Sequence, residues 1–339
     1  MLRLTKLALT CALFAYLTVP ALQAQEKPRT IGFTVYSMTS WVTWGKQGVD
    51  TVAKADDVKV LWNSADADVN KQISQIQQYI NQKVDAIVIA AVNSATLGPQ
   101  IEAATKAGIP VIATNMRIDP PASSMVKTYV GPNDVGAGEG AAKAVVDVLG
   151  GKGGVVVLQG PIGQSAETDR TQGVKNILAK NPDIKMLAIQ PANWDRTQAY
   201  SLMQDWISRY GSEIKGVIAE NDDMGIGAIR ALEEKGLAGK IPVGGVDAIK
   251  DGLREVKSGN MVATNLQNAA IELGMALQAT VDLLDNKQIP QTALLNMPVI
   301  KKDKVDYYYS QLYVKPQDFL KTLPELIKKN MASGDYASQ

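Results

Sequence analysis

From Thr30 onward, short runs of β-branched and apolar residues alternate with segments of helical length and pattern. The runs are TIGFTVY at 30, VKVLW at 58, VDAIVIAA at 84 and IPVIA at 109. A strand, an amphipathic helix and a further strand bury their apolar faces together only when the strands lie parallel and the helices cover them. This alternation therefore confines the chain to the α/β class. VDAIVIAA is nearly continuous in hydrophobicity, as expected of a strand covered on both faces.

After Gly131 the pattern restarts. A helix is predicted from Asp134 to Leu149, followed by strands at GVVVLQG (154), MLAIQ (186), GVIAE (216) and IPVGGV (241). This reads as a second copy of the same architecture, with the turn Gly150 to Gly154 joining helix to strand inside it. A long helix from Ala269 to Leu284 precedes one more strand near Met297 to Ile300, placed where the chain crosses between lobes again. About 315 residues remain once a leader is removed, more than the roughly 250 to 300 at which single cores divide, so two domains are expected.

That leader is read from Arg3 and Lys6, an apolar stretch from Leu7 to Leu22 interrupted by Pro20, and small residues at Ala21 and Ala24. This is the layout of a cleavable export signal over residues 1–24, and it is shorter than the roughly 20 apolar residues of a membrane span. The mature protein is expected in the periplasm. Cys11, the single cysteine, lies inside the signal, and the chain has no histidine. Cys/His nucleophile pairs and the commonest zinc sites are thereby excluded, and no motif asks for a cofactor. The 35 basic and 34 acidic residues nearly cancel, which removes the electrostatic argument for a nucleic-acid partner.

In open parallel sheets, ligands lie beyond the carboxyl ends of the strands. The segments found there, LQGPIGQSAETDRTQG (158–173), QPANWDR (190–196), ENDDMGIGAIRAL (220–232) and VGGVDAIKDG (243–252), resemble the periplasmic sugar-binding proteins of the ribose-binding type, the substrate-binding proteins of ABC transporters. The likeness runs in order from about Thr30 to Lys315. It implies the type 1 periplasmic binding fold: two similar Rossmann-like lobes with parallel sheets, joined by a three-segment hinge. Crossings near Val130, Asn265 and Met297 divide the chain into an N-terminal lobe (30–130 plus 268–297), a C-terminal lobe (131–267 plus 298–316) and a C-terminal extension (317–339). The implied function is capture of a monosaccharide or polyol by hinge closure and its delivery to the membrane permease of an ABC importer. The alternative output is presentation of the bound sugar to a chemoreceptor or sensor kinase.

By the same resemblance, Trp194 and Trp41 fall at stacking positions, where an indole contacts C–H groups and leaves hydroxyls free. Trp194 otherwise reads as a core residue of its lobe, and one of Trp41 and Trp44, three apart at the start of a helix, as packing against the sheet. Tyr36, after the first strand, is a similar candidate. Arg170 matches a hydroxyl-binding arginine whose fork also suits a carboxylate; the other reading is a surface ion pair with Glu167 or Asp169. Asn221, Asp247 and Gln267 match polar binding positions, although Asn221 and Asp247 also stand where helices begin and caps are found. Asp222 reads as the cap of the helix near Met224. Where the family often has an Asp-Arg pair, this chain has Asn115, Met116 and Arg117, which loses a charge-assisted acceptor for adjacent hydroxyls and argues against ribose itself. Asn115 joins the site; Arg117 is left out.

GAGEGAA at Gly136 has the glycines of a phosphate loop but lies inside a predicted helix, without the lysine and hydroxyl such a loop needs. Helix packing accounts for it. The aromatic run VDYYYSQLY (305–313) reads as β-propensity. Catalysis on sugars would need two carboxylates about 5 to 10 Å apart, and only Asp247 suggests itself, so no enzyme is expected. A repressor of the lac type would need a basic helix-turn-helix where the export signal stands.

Overall fold

The structure, a computed structural model, describes residues 28–336; the export signal, its cleavage point and Cys11 lie outside them. The chain begins β1 (Thr30–Val35), α1 (Ser40–Ala55), β2 (Lys59–Ser64), α2 (Val69–Asn81), β3 (Ala86–Ile89), α3 (Gly98–Lys106), β4 (Val111–Thr114) and β5 (Tyr129–Pro132). There follow α4 (Asp134–Leu149), β6 (Gly153–Gln159), α5 (Ser165–Ala179), β7 (Ile184–Pro191), α6 (Arg196–Tyr210), β8 (Ile214–Ala219) and α7 (Asp222–Glu233). The remainder is β9 (Val243–Asp247), α8 (Lys250–Ser258), β10 (Ala263–Leu266), α9 (Ala269–Leu284), β11 (Thr292–Leu295), β12 (Val299–Ile300), α10 (Val305–Tyr309) and α11 (Pro316–Ser333).

Two six-stranded sheets result, ordered β11-β5-β4-β3-β1-β2 and β12-β10-β9-β8-β6-β7. Every pairing is parallel except that of β12 with β10. Each sheet is covered by helices, and β3 is fully buried along its length, as its unbroken apolar run requires. At several helix starts a Thr, Asn or Asp side chain accepts from an orphan N–H group. Thr39 Oγ1 accepts from Val42 N at 3.2 Å, and Asp68 accepts from Asn70 N at 2.7 Å and Lys71 N at 3.2 Å.

The small residues of GAGEGAA lie in α4 and set its distance from α5. A methyl group on Gly138 would stand 2.1 Å from the carbonyl oxygen of Arg170, and one on Gly173 would stand 2.2 Å from that of Val135. Neither obstacle is a movable side chain. Gly138→Ala is therefore expected to lower stability by about 1–3 kcal/mol through forced separation of the two helices. Urea denaturation checks this; an unchanged midpoint would mean that α4 and α5 slide apart freely.

The chain passes between the two layers after β5, after β10 and between β11 and β12. Two features differ from or add to the sequence reading. VDYYYSQLY forms no strand: it is α10 followed by a π-helical turn over Ser310–Val314. Tertiary contacts override its β-propensity. Asp306 pairs with Lys257 at 2.6 Å, Tyr309 Oη accepts from Arg254 Nε at 3.2 Å, and Tyr313 Oη donates to the Ala248 carbonyl at 3.0 Å. The second feature is the C-terminal extension, α11, whose packing the sequence did not indicate. Leu320, Leu323 and Ile327 bury its inner face against α1 and α9, and Lys328 pairs with Asp56, the residue after α1, at 2.9 Å. Because α10 lies on α8, the turn between α10 and α11 is a fourth passage between lobes.

Candidate functional site

The carboxyl ends of the two sheets face one another across a narrow cleft lined by residues of both lobes. The first lobe contributes Tyr36 after β1, Trp41 from the first turn of α1, and Asn115 after β4; the second contributes Arg170, Trp194, Asn221 and Asp247; Gln267 comes from the passage after β10. Thr39, Met116 and Ala166 complete the lining and were not anticipated, being residue types that carry no chemical signature of their own.

Trp44 is not brought to this cleft. Residues three apart on a helix are rotated by about 60° from one another, enough to send the second indole around the side of α1. There its ring lies 6.0 Å from those of Tyr313 and Phe319, and it lines a neighbouring space with Arg196, Asp251 and Tyr313. Trp41 remains in the cleft, its Nε1 donating to the Gln267 carbonyl at 2.8 Å.

Arg170 is 3% exposed and does not make the surface ion pair with Glu167 or Asp169. Its Nε donates to Asp134 at 2.9 Å, Nη1 to the Glu220 carbonyl at 2.6 Å and Nη2 to Gln267 Oε1 at 2.6 Å, while Asp247 Oδ1 stands 3.6 Å from Nη1. Burial disfavours its charge, but Asp134 and Asp247 outweigh that and hold its pKa above the usual range. The guanidinium also lies 5.5 Å from the Trp194 ring centroid. Asp169 instead pairs with Arg117 across the cleft mouth, and Glu167 accepts from Gln159 Nε2 at 2.7 Å.

Behind the lining stands a layer of buried acids unmarked in the sequence. Asp134 and Glu272 sit in the first turns of α4 and α9, where acidic residues are commonplace. Glu272 accepts from Gln267 Nε2 at 2.9 Å and from Asn115 Nδ2 at 3.0 Å, so one carboxylate orients a side chain from each side of the cleft. Burial pushes Asp247, Glu220 and Glu272 each up to about 8. Asn115 Oδ1 has no protein partner among the described residues. Asn221 caps α7 through Oδ1, bonded to Met224 N at 2.9 Å, leaving its NH₂ as a donor. Asp222 is not that cap: it accepts from Ile249 N at 3.0 Å and Thr264 Oγ1 at 2.7 Å, fastening the loop after β9. Asn115, Trp194 and Asp247 all hold left-handed backbone, with φ of 60°, 59° and 113°. Side chains fixed this way present donors and acceptors at set positions between two indole rings, an arrangement suited to the hydroxyls and C–H faces of one small polyhydroxylated molecule.

Residues 31–288 match the family described as "Periplasmic binding protein domain". The chain is 44% identical over 314 residues to the xylitol-binding protein of Mycolicibacterium smegmatis, covering 93% of this chain and 89% of that protein. It is 30% identical to the ribose import binding protein RbsB of Bacillus subtilis, with 80% and 87% covered. Among solved structures, the periplasmic solute-binding protein of an ABC transporter from Actinobacillus succinogenes, with bound D-allose, superposes with a TM-score of 0.77 at 30% identity, covering 83% of this chain and all of that one. The arabinose-binding component of an ABC transporter from Shewanella, bound to arabinofuranose, gives 0.81 at 25% identity, with 86% and 97% covered.

Proposed function

Because this chain belongs to the periplasmic binding protein family, a family of substrate-binding proteins and not of enzymes, we propose that it captures a neutral monosaccharide or polyol in the periplasm, closes two lobes around it and delivers it to an ABC importer. The observation that carries this reading is the state of Arg170. Three of its five N–H groups are already committed, and its charge is balanced by Asp134. A sugar acid would need a cation of its own, and the guanidinium that lines the cleft already has its charge balanced by Asp134. Hydroxyls suit the cleft better, donating to Asn115 Oδ1 and accepting from Asn221 and from the remaining guanidinium hydrogens. Ligand contact with both lobes is what gives closure its driving force, since only differential affinity shifts a conformational equilibrium.

Among ligands, the 44%-identical xylitol-binding relative puts pentitols first. Thermal-shift measurements with xylitol, other pentitols, aldoses and sugar acids test the reading. A micromolar neutral ligand at millimolar concentration stabilises the folded protein by about 4 kcal/mol, whereas sugar acids are expected to leave it unmoved. If sugar acids or amino acids alone raise the melting temperature, the neutral-ligand reading is wrong. Delivery to a permease is checked by loss of uptake of the winning ligand in a strain lacking this protein.

A further inference from the structure

Gln164, 2% exposed, is the last residue of the loop before α5, and the two ends of its side-chain amide point to different lobes. Oε1 accepts from Trp194 Nε1 at 2.7 Å, within its own lobe. Nε2 donates to the carbonyl of Val92 at 3.2 Å, in the loop after β3 of the opposite lobe. Its neighbours cross at the same place: Ser165 N donates to Ser94 Oγ at 3.0 Å, and Ser94 N to the Gly163 carbonyl at 2.9 Å. The Trp194 ring itself has little freedom. Gly160 gives it room, since a methyl there would stand 2.0 Å from Cζ2, and Arg170 lies over it.

We propose that Gln164 is a positioning residue that ties the Trp194 ring to closure of the lobes. When the lobes meet, Val92 takes one end of the amide and orients the other to hold the indole; when the indole is held against a ligand, the amide is already aimed at Val92. The device needs a ring N–H, so phenylalanine at position 194 would stack but not signal. This inference rests on the ligand-capture reading and adds a route by which the ligand's seating is felt at the mouth of the cleft.

The test combines Gln164→Leu and Trp194→Phe, singly and together, with stopped-flow binding of xylitol. The loss of buried hydrogen bonds should appear as a roughly tenfold faster dissociation in each single variant with association unchanged, because changes within one interface act mainly on departure. The double variant should dissociate no more than about twofold faster than either, since each change breaks the same chain. Gln164→Glu keeps the acceptor for Trp194 but not the donor for Val92, and should speed dissociation while leaving tryptophan emission in place. Spin-label distances between Lys106→Cys and Lys185→Cys, in a Cys11→Ser background, should shift to longer values in Gln164→Leu without ligand. Additive effects in the double variant, a change confined to association, or an unmoved distance distribution would each overturn the tether. Failure of the wild type to bind any neutral polyol would instead defeat the functional reading, and the distance measurement would still decide the role of Gln164.

Discussion

Replacing Arg170 with methionine is expected to weaken polyol binding by about 100-fold or more and to destabilise the protein by about 3–5 kcal/mol at neutral pH. The first figure follows from the charge-assisted hydrogen bonds an arginine offers hydroxyls, each worth about 1.5–3 kcal/mol, of which two amount to two decades or more in affinity. The second is the cost of leaving buried charges uncompensated when one partner of a pair is removed. Methionine fills much of the same volume, so the loss is electrostatic more than steric. Asp134 and Asp247 would then face each other without a cation, and both would be driven further toward the neutral form. The variant's stability deficit should accordingly be smaller at pH 5 than at pH 8. Calorimetric titration together with urea denaturation at the two pH values checks this; affinity retained within fivefold would show that Arg170 serves the fold and not the ligand.

The unaltered protein should itself lose stability as the pH rises from about 4 to about 8. Burial raises Asp247, Glu220 and Glu272 to about 8 from ordinary values of 3.8, 4.5 and 4.5. Between those limits the folded chain holds protons that the unfolded chain has released. Stability from these groups is thus fully present below about pH 4 and is lost as the pH climbs through their folded values, at up to about 1.4 kcal/mol per pH unit for each group. Asp66, Glu102 and Asp285 are shifted the other way by lysine or arginine partners, but they lie at the surface, where such pairs contribute little. Chemical denaturation at pH 5, 6.5 and 8 should show a falling midpoint, and Glu272→Gln or Glu220→Gln should flatten it. A profile that rises over this interval would mean that water reaches these carboxyls and keeps them charged.

Much of this architecture was legible because strand and helix patterns are local. VDAIVIAA announces a doubly covered strand on its own, and ligand-facing residues follow strand ends by the geometry of parallel sheets. What stayed hidden depends on partners far away in sequence. Asn115 and Glu272 are 157 residues apart, and nothing near either position signals their contact. Trp44 misled because helical spacing specifies an angle but not where a neighbour such as Phe319 will stand. The tyrosines of 307–309 carry strong β-propensity, and only Arg254 and Lys257 of α8, together with the loop after β9, explain why that segment coils instead. Asp222 and Asn221 are adjacent candidates for one cap, and the difference was decided by Thr264 and Ile249, which claim the aspartate.

The docking of α11 on α1 and α9 also fixes an order of completion. The second lobe is drawn almost wholly from one unbroken stretch, α4 to β10, with β12 added at its edge. The first lobe is assembled from three stretches: its opening strands, then α9 and β11, and finally α11 near the end of the chain. Because contacts between distant segments form slowly, the lobe that begins the chain is the last to be finished. Until the final helix arrives, the patch of α1 and α9 that Leu320, Leu323 and Ile327 cover stays open, so the core of the first lobe is not sealed before nearly the whole chain is available.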